Sequence, residues 1–160
     1  MSSTGFGSDD IFIATNIIRI ENEINKPDMY RIIGADGRKG PCTFGKLIEE
    51  QFDCAGWYLL LLTEDSPYEE CLHILLLDNN CGLLDSIDIG APYTPGILEN
   101  VHPEQDHLKF EMYGYIWRIK IHRNAKRWPA FALPRGASRP ISRLLHPRCI
   151  ELQQSDNIDL

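Results

Sequence analysis

Four groups of side chains in this 160-residue chain are of types that do chemistry. Cys71 and His73 stand two apart in an apolar run, so on a strand they share one face and could form a thiol–imidazole pair, nucleophile beside base. Glu64-Asp65 and Glu69-Glu70 put four carboxylates into one short polar stretch, the raw material of general acid–base work. His102, Glu104, Asp106 and His107 place two imidazoles and two carboxylates within six residues, donors suited to a divalent ion. Gly34, Gly37 and Gly40 form a glycine-rich stretch of the kind that can approach a phosphate.

Each group lacks the pattern that would make it specific. No nucleophile elbow surrounds any cysteine or serine, and Cys71 and His73 lie inside a run expected to be buried, which reads as packed core. Neither acid pair has a visible neighbour that would push its two pKa values apart, so solubility of a hairpin loop accounts for both. The histidine-bearing loop matches no zinc spacing and reads as solvated. The glycines keep neither the order of a P-loop nor that of a dinucleotide fingerprint. The expectation is a non-enzymatic chain without cofactor or metal.

The elements that would hold these groups centre on residues 57–89. Trp57–Thr63, Cys71–Asp78 and Leu83–Ile89 are strand-length runs, and the first two are apolar at odd and even positions alike. Such strands need cover on both faces and belong in the middle of a sheet. Leu108 to Met112 and Tyr115 to Ile121 alternate around Tyr113-Gly114 and predict a tight hairpin. Ile13, Ile17, Ile20 and Ile24, after a Ser8-Asp9-Asp10 cap, recur at helical spacing, as do Phe44, Leu47, Ile48 and Phe52 after Thr43. The predicted fold is therefore α+β. An antiparallel meander of about five strands (57–122) carries N-terminal helices (9–25 and 43–53) on one face. An irregular, proline-broken arm (124–148), with a short helix near residues 138–145, docks on the body. This makes one domain over 1–150, and 151–160 form a flexible tail.

Charge gives the partner expectation. From Glu49 to Glu111 there are fourteen acids and one base; from Met112 to Arg148 there are nine bases and no acid, within a net charge of −7. Such asymmetry between segments points to a charged partner, or to two halves that neutralise each other in a scaffold or assembly subunit. The arm's Arg123, Lys126, Arg127, Arg135, Arg139 and Arg143, interleaved with Trp128, are suited to phosphate and to stacking on bases. The acidic segment would repel the same nucleic acid. The favoured reading therefore takes the acidic surface as the binding one. Its candidates are Glu64, Asp65, Glu69, Glu70, Asp78, Asp85, Asp88, Glu99, Glu104 and Asp106, with Tyr68, Tyr93 and Ile97 as anchors inside the rim. Five cysteines without framework spacing and a start without an apolar signal segment point to reduced thiols in the cytoplasm. In general character, though in no motif, the chain resembles bacterial immunity proteins and antitoxins. That likeness implies a module that neutralises a basic, nuclease-type toxin by occlusion.

Overall fold

The structure, a computed structural model, describes residues 11–65, 70–90, 96–126, 132–143 and 146–156. Among them there is no α-helix. In chain order the strands are β1 (Ile13–Ala14), β2 (Arg19–Asn22), β3 (Tyr30–Ile33), β4 (Lys39–Thr43), β5 (Leu47–Cys54), β6 (Trp57–Thr63) and β7 (Cys71–Leu77). They continue with β8 (Leu83–Gly90), β9 (Glu99–Pro103), β10 (Leu108–Met112), β11 (Tyr115–Lys126), β12 (Ala137–Ser138) and β13 (Arg148–Asp156). One turn of 3-10 helix covers Ile141–Arg143. The strands pair antiparallel into a six-stranded sheet, β1-β5-β6-β7-β8-β12, a four-stranded sheet, β13-β11-β10-β9, and a three-stranded sheet, β2-β3-β4.

The predicted α+β class is thus corrected to nearly all β. Where a helix over 43–53 was expected, β5 runs instead: its Phe44, Leu47, Ile48, Phe52 spacing also fits a strand bulged between Ile48 and Glu50. Thr43 is no helix cap, since its hydroxyl accepts from Gly45 N in a local turn at 3.0 Å. The described part of the 9–25 helix is two short strands; the Ser8-Asp9-Asp10 cap lies outside the described residues. The isoleucines at helical spacing are not what this segment buries. Ile13 and Ile24 are 62% and 81% exposed, while Phe12 and Ile18 are inside. β-branched side chains favour the extended backbone. The Gln51 carboxamide then completes the pairing, donating to Ile18 O and accepting from Ile18 N, both at 2.9 Å. Residues 151–156, within the 151–160 segment expected as a flexible tail, are the end of β13, paired along β11 from Tyr115 to Lys120.

The six- and four-stranded sheets face each other across the larger core. Leu59 and Leu61 of β6 and Leu72, Ile74 and Leu76 of β7 meet Phe110, Trp117, Ile119 and Ile150 there. The alternate residues Leu60, Leu62, Leu75 and Leu77 form a second cluster with Ile18, Ile32 and Cys81, under the three-stranded sheet. This double cover is why β6 and β7 are apolar at every position. Each wholly buried leucine contributes about 1.5–3 kcal/mol of burial. None of the five cysteines is in a disulfide, and among the described residues no helix is long and apolar enough to cross a membrane.

Candidate functional site

Register brings together groups that are far apart in sequence. Thr63 pairs with Leu72, which carries Glu64 to the level of Cys71; His73 pairs with Leu62 on one side and Asp88 on the other; Cys71 pairs with Gly90. His73 shares strand parity with Leu75 and Leu77, so these groups sit on the same face as the second cluster, at the opposite end of β7.

His73 is 7% exposed. Its Nδ1 lies 2.7 Å from Asp88 Oδ1, and its Nε2 lies 3.5 Å from Glu64 Oε1. Nε2 is sealed from solvent and has no hydrogen-bond partner among the described residues. Cys71 Sγ, a Glu64 oxygen and a His73 ring nitrogen all lie within 4.8 Å of one another, the one such group among the described residues. Burial opposes charge on His73, but the hydrogen bond and charge of Asp88, with the charge of Glu64, outweigh it and raise its pKa. The Cys71 thiol is pushed up to about 12 by burial and by Asp88, Glu64 and Glu70. A thiol so placed is a poor nucleophile, because the thiolate is the reactive form. Tyr113 closes one side. It sits at the β10–β11 turn with positive φ, its ring against Gly96 and its hydroxyl donating to Glu70 O. Beyond it a cleft of about 530 Å³ runs between Gly90, Tyr113, Tyr115, Trp117 and Arg135.

The same end of the sheet is acidic. Among the described residues none of Glu64, Asp65, Glu70 or Asp88 pairs with a lysine or arginine; Glu70 accepts from Asp65 N at 3.2 Å. Glu49 accepts from the Thr63 hydroxyl at 2.7 Å, and burial followed by the charge of Glu49 raises the pKa of neighbouring Glu50. Two large apolar side chains stand out beside these acids. Phe44 is 55% exposed, and Leu47, which pairs with Thr63, is 44% exposed.

The other predicted partner residues divide. Tyr68, Glu69 and Tyr93 lie outside the described residues. Ile97 is 71% exposed, next to the Gly96 that backs Tyr113. Glu99 is exposed on β9. Asp78 is turned into its own loop, accepting from Asn80 N and Gly82 N at 2.8 Å each. Asp85 is not a surface acid at all. It is buried and takes Arg139 Nε and Nη2 at 3.0 and 3.1 Å, plus Cys149 N and Ile150 N at 2.9 Å each.

Among the predicted nucleic-acid residues whose side chains are described, Arg139 and Arg143 are turned inward, whereas Arg123 and Arg135 are exposed. Arg139 is the buried partner of Asp85, and Arg143 donates to Leu83 O and Leu84 O. Arg123 lies over the Trp57 ring at 4.1 Å and donates to Cys54 O and Ala55 O. Arg135 is exposed; Arg127, Trp128 and the Lys126 side chain lie outside the described residues. In the histidine loop, His107 is held between Glu104 and Asp106 at 3.1 and 2.8 Å, and Asp106 also meets Lys120 at 3.3 Å, while His102 is exposed on β9.

Sequence reasoning put Cys71 and His73 on one strand face but named Glu64 and Asp88 apart from them, and so missed the grouping of all four. The signal was strand parity: three consecutive antiparallel strands carry these residues near one end. No protein-family model, curated protein or solved structure matches the chain.

Proposed function

We propose that the chain is a non-enzymatic acidic binding module. Its docking surface is the end of the six-stranded sheet built by the β4–β5 connection, the end of β6, the start of β7 and the end of β8. Its partner is a basic protein, in the narrowest form a nuclease-type toxin occluded as by an immunity protein or antitoxin. The observation that supports this reading is the combination at that end of carboxylates without a lysine or arginine partner among the described residues (Glu64, Asp65, Glu70, Asp88) with exposed Phe44 and Leu47. Carboxylates without cations steer a basic surface into contact, and apolar anchors inside a charged rim dominate the affinity gained there. Asp85–Arg139 and Asp106–Lys120 join the acidic segment to the basic one, and neither pair draws on the carboxylates of this end. The inward arginines make nucleic acid the weaker reading.

The test is co-expression with the products of neighbouring reading frames, purified at ~50 mM and ~500 mM salt, a span that separates screened from unscreened charge. The expected result is a complex with a basic protein, weakened by salt, by the triple change Glu64→Lys, Asp65→Lys, Glu70→Lys, and by Phe44→Ala. A chain with no basic partner even at low salt, or a complex indifferent to these changes, refutes it.

A further inference from the structure

We propose that Glu64, Cys71 and His73 form a binding site for a borderline-soft divalent metal ion, Zn2+ by preference, with Asp88 as the residue that orients His73. The site shares Glu64 and Asp88 with the docking surface, but its metal titration is read without any partner protein.

Three observations carry it. The donors are one carboxylate, one thiol and one imidazole, all within 4.8 Å of one another. Oxygen-only ions such as Ca2+ and Mg2+ do not select sulfur and nitrogen, whereas Zn2+ takes all three donor types. Next, the spacing fits. Nitrogen and oxygen ligands at about 2.0–2.1 Å from a tetrahedral ion stand about 3.3–3.4 Å apart. His73 Nε2 and Glu64 Oε1 stand 3.5 Å apart already. Finally, Nε2 is a buried polar atom without a hydrogen bond, on a side chain 9% exposed, and it faces the Glu64 carboxylate. Leaving such an atom unmatched costs free energy, and a metal ion would match it.

The surroundings support the same assignment. Asp88 Oδ1, 2.7 Å from Nδ1, is placed to take the Nδ1 proton as a hydrogen bond, and metal binding would displace any proton on Nε2 to bulk water, giving the carboxylate–histidine–metal arrangement. Glu70 and Asp88 add negative potential without competing as cations. Cys71 and His73 sit on one central strand held from both sides, so two of the ligands are rigidly placed, and Glu64, at the open end of β6, can adjust. On binding, a sulfur–metal bond forms as the thiol S–H breaks, and its proton passes to bulk water. The thiolate and the Glu64 carboxylate balance the two positive charges. Three protein ligands leave a fourth position for water, the pattern of an exchangeable site rather than a closed structural one.

The experiment uses the full chain, stripped with chelator, kept reduced by a phosphine and titrated with Co2+ as a spectroscopic stand-in. The expected result is saturation at one equivalent, with a thiolate-to-cobalt charge-transfer band and tetrahedral d–d bands, both lost on adding Zn2+ and unaffected by excess Ca2+. Cys71→Ser removes the charge-transfer band. Asp88→Asn keeps it but weakens binding by about 10–100-fold, the usual effect of losing an orienting carboxylate. Circular dichroism of each variant establishes that it is folded, and the wild-type titration is decisive without any variant. No thiolate band in the wild-type chain, a band that survives Cys71→Ser, or displacement by Ca2+ overturns the proposal.

Discussion

Replacing Asp85 by Asn keeps the shape of a side chain that ties the two large sheets together and removes its charge. In the native chain this carboxylate, 2% exposed, accepts two hydrogen bonds from Arg139, two from the β13 backbone and one from Ser86 N. The Asn amide keeps one acceptor oxygen and sets an NH2 where the other stood, facing donors. Arg139, 1% exposed, is then a buried cation without a counter-charge. Arg148 is close enough that burial and the Arg139 charge already lower its pKa. Breaking a buried pair costs about 3–5 kcal/mol. Each orphaned backbone N–H adds about 1–3 kcal/mol, though such losses overlap. The expected total of about 4–7 kcal/mol is a large share of a typical 5–15 kcal/mol stability. For a chain of this size it corresponds to a fall in Tm of roughly 10–25 °C. Urea unfolding followed by tryptophan fluorescence measures it, beside a cycle of Asp85→Leu, Arg139→Met and the double variant Asp85→Leu, Arg139→Met. The double variant should lose much less than the sum of the single ones, because it leaves no isolated charge. A cost below about 1 kcal/mol for Asp85→Asn, the level of a surface pair, or single costs that simply add, would refute this reasoning.

Three further outcomes follow from packing and charge. Gly45→Ala places a methyl carbon 2.6 Å from Leu62 Cβ, against the second core, and should destabilise by about 1–3 kcal/mol in the same urea assay. Burial, then the Asp53 charge, pushes the Cys54 thiol up to about 12, so at pH 8 only about one in 10⁴ is thiolate and Ellman's reagent should reach it only after unfolding. Burial of Glu151 acts to raise its pKa, but hydrogen bonds from His122 and Gln153 and the charges of His122 and Lys120 outweigh it and leave the folded value lowered. Its contribution is therefore present above the unfolded carboxylate pKa and lost as pH falls through the folded one, so Glu151→Gln should flatten the acid limb of a stability–pH curve and leave the neutral region less stable.

What could be read from the sequence was what local pattern determines. Trp57–Thr63 and Cys71–Leu77 are apolar on both faces because two different cores lie above and below them, and no other element could use that pattern at that length. Leu47, Ile48 and Phe52 pointed to a helix, yet the same spacing also serves a bulged strand. The deciding contact, Gln51 to Ile18, spans 33 residues. Asp85 and Arg139 show the same limit for charge. Both look like surface residues until a partner 54 residues away removes them from solvent together. At the site, the shared face of Cys71 and His73 was readable from parity, but Glu64 and Asp88 join them only once the registers of two hairpins are fixed.

The clamp around Asp85 also dictates an order of events at the ribosome. Its guanidinium partner emerges 54 residues after it, and its two amide donors 64 and 65 residues after it. A nascent chain can zip β5 through β8 by neighbouring turns while that carboxylate still needs water, so the inner face of the first sheet must stay wet until residue 150 has left the exit tunnel. Translation pauses or chaperone contacts over that interval would decide how many chains survive with a large apolar face uncovered.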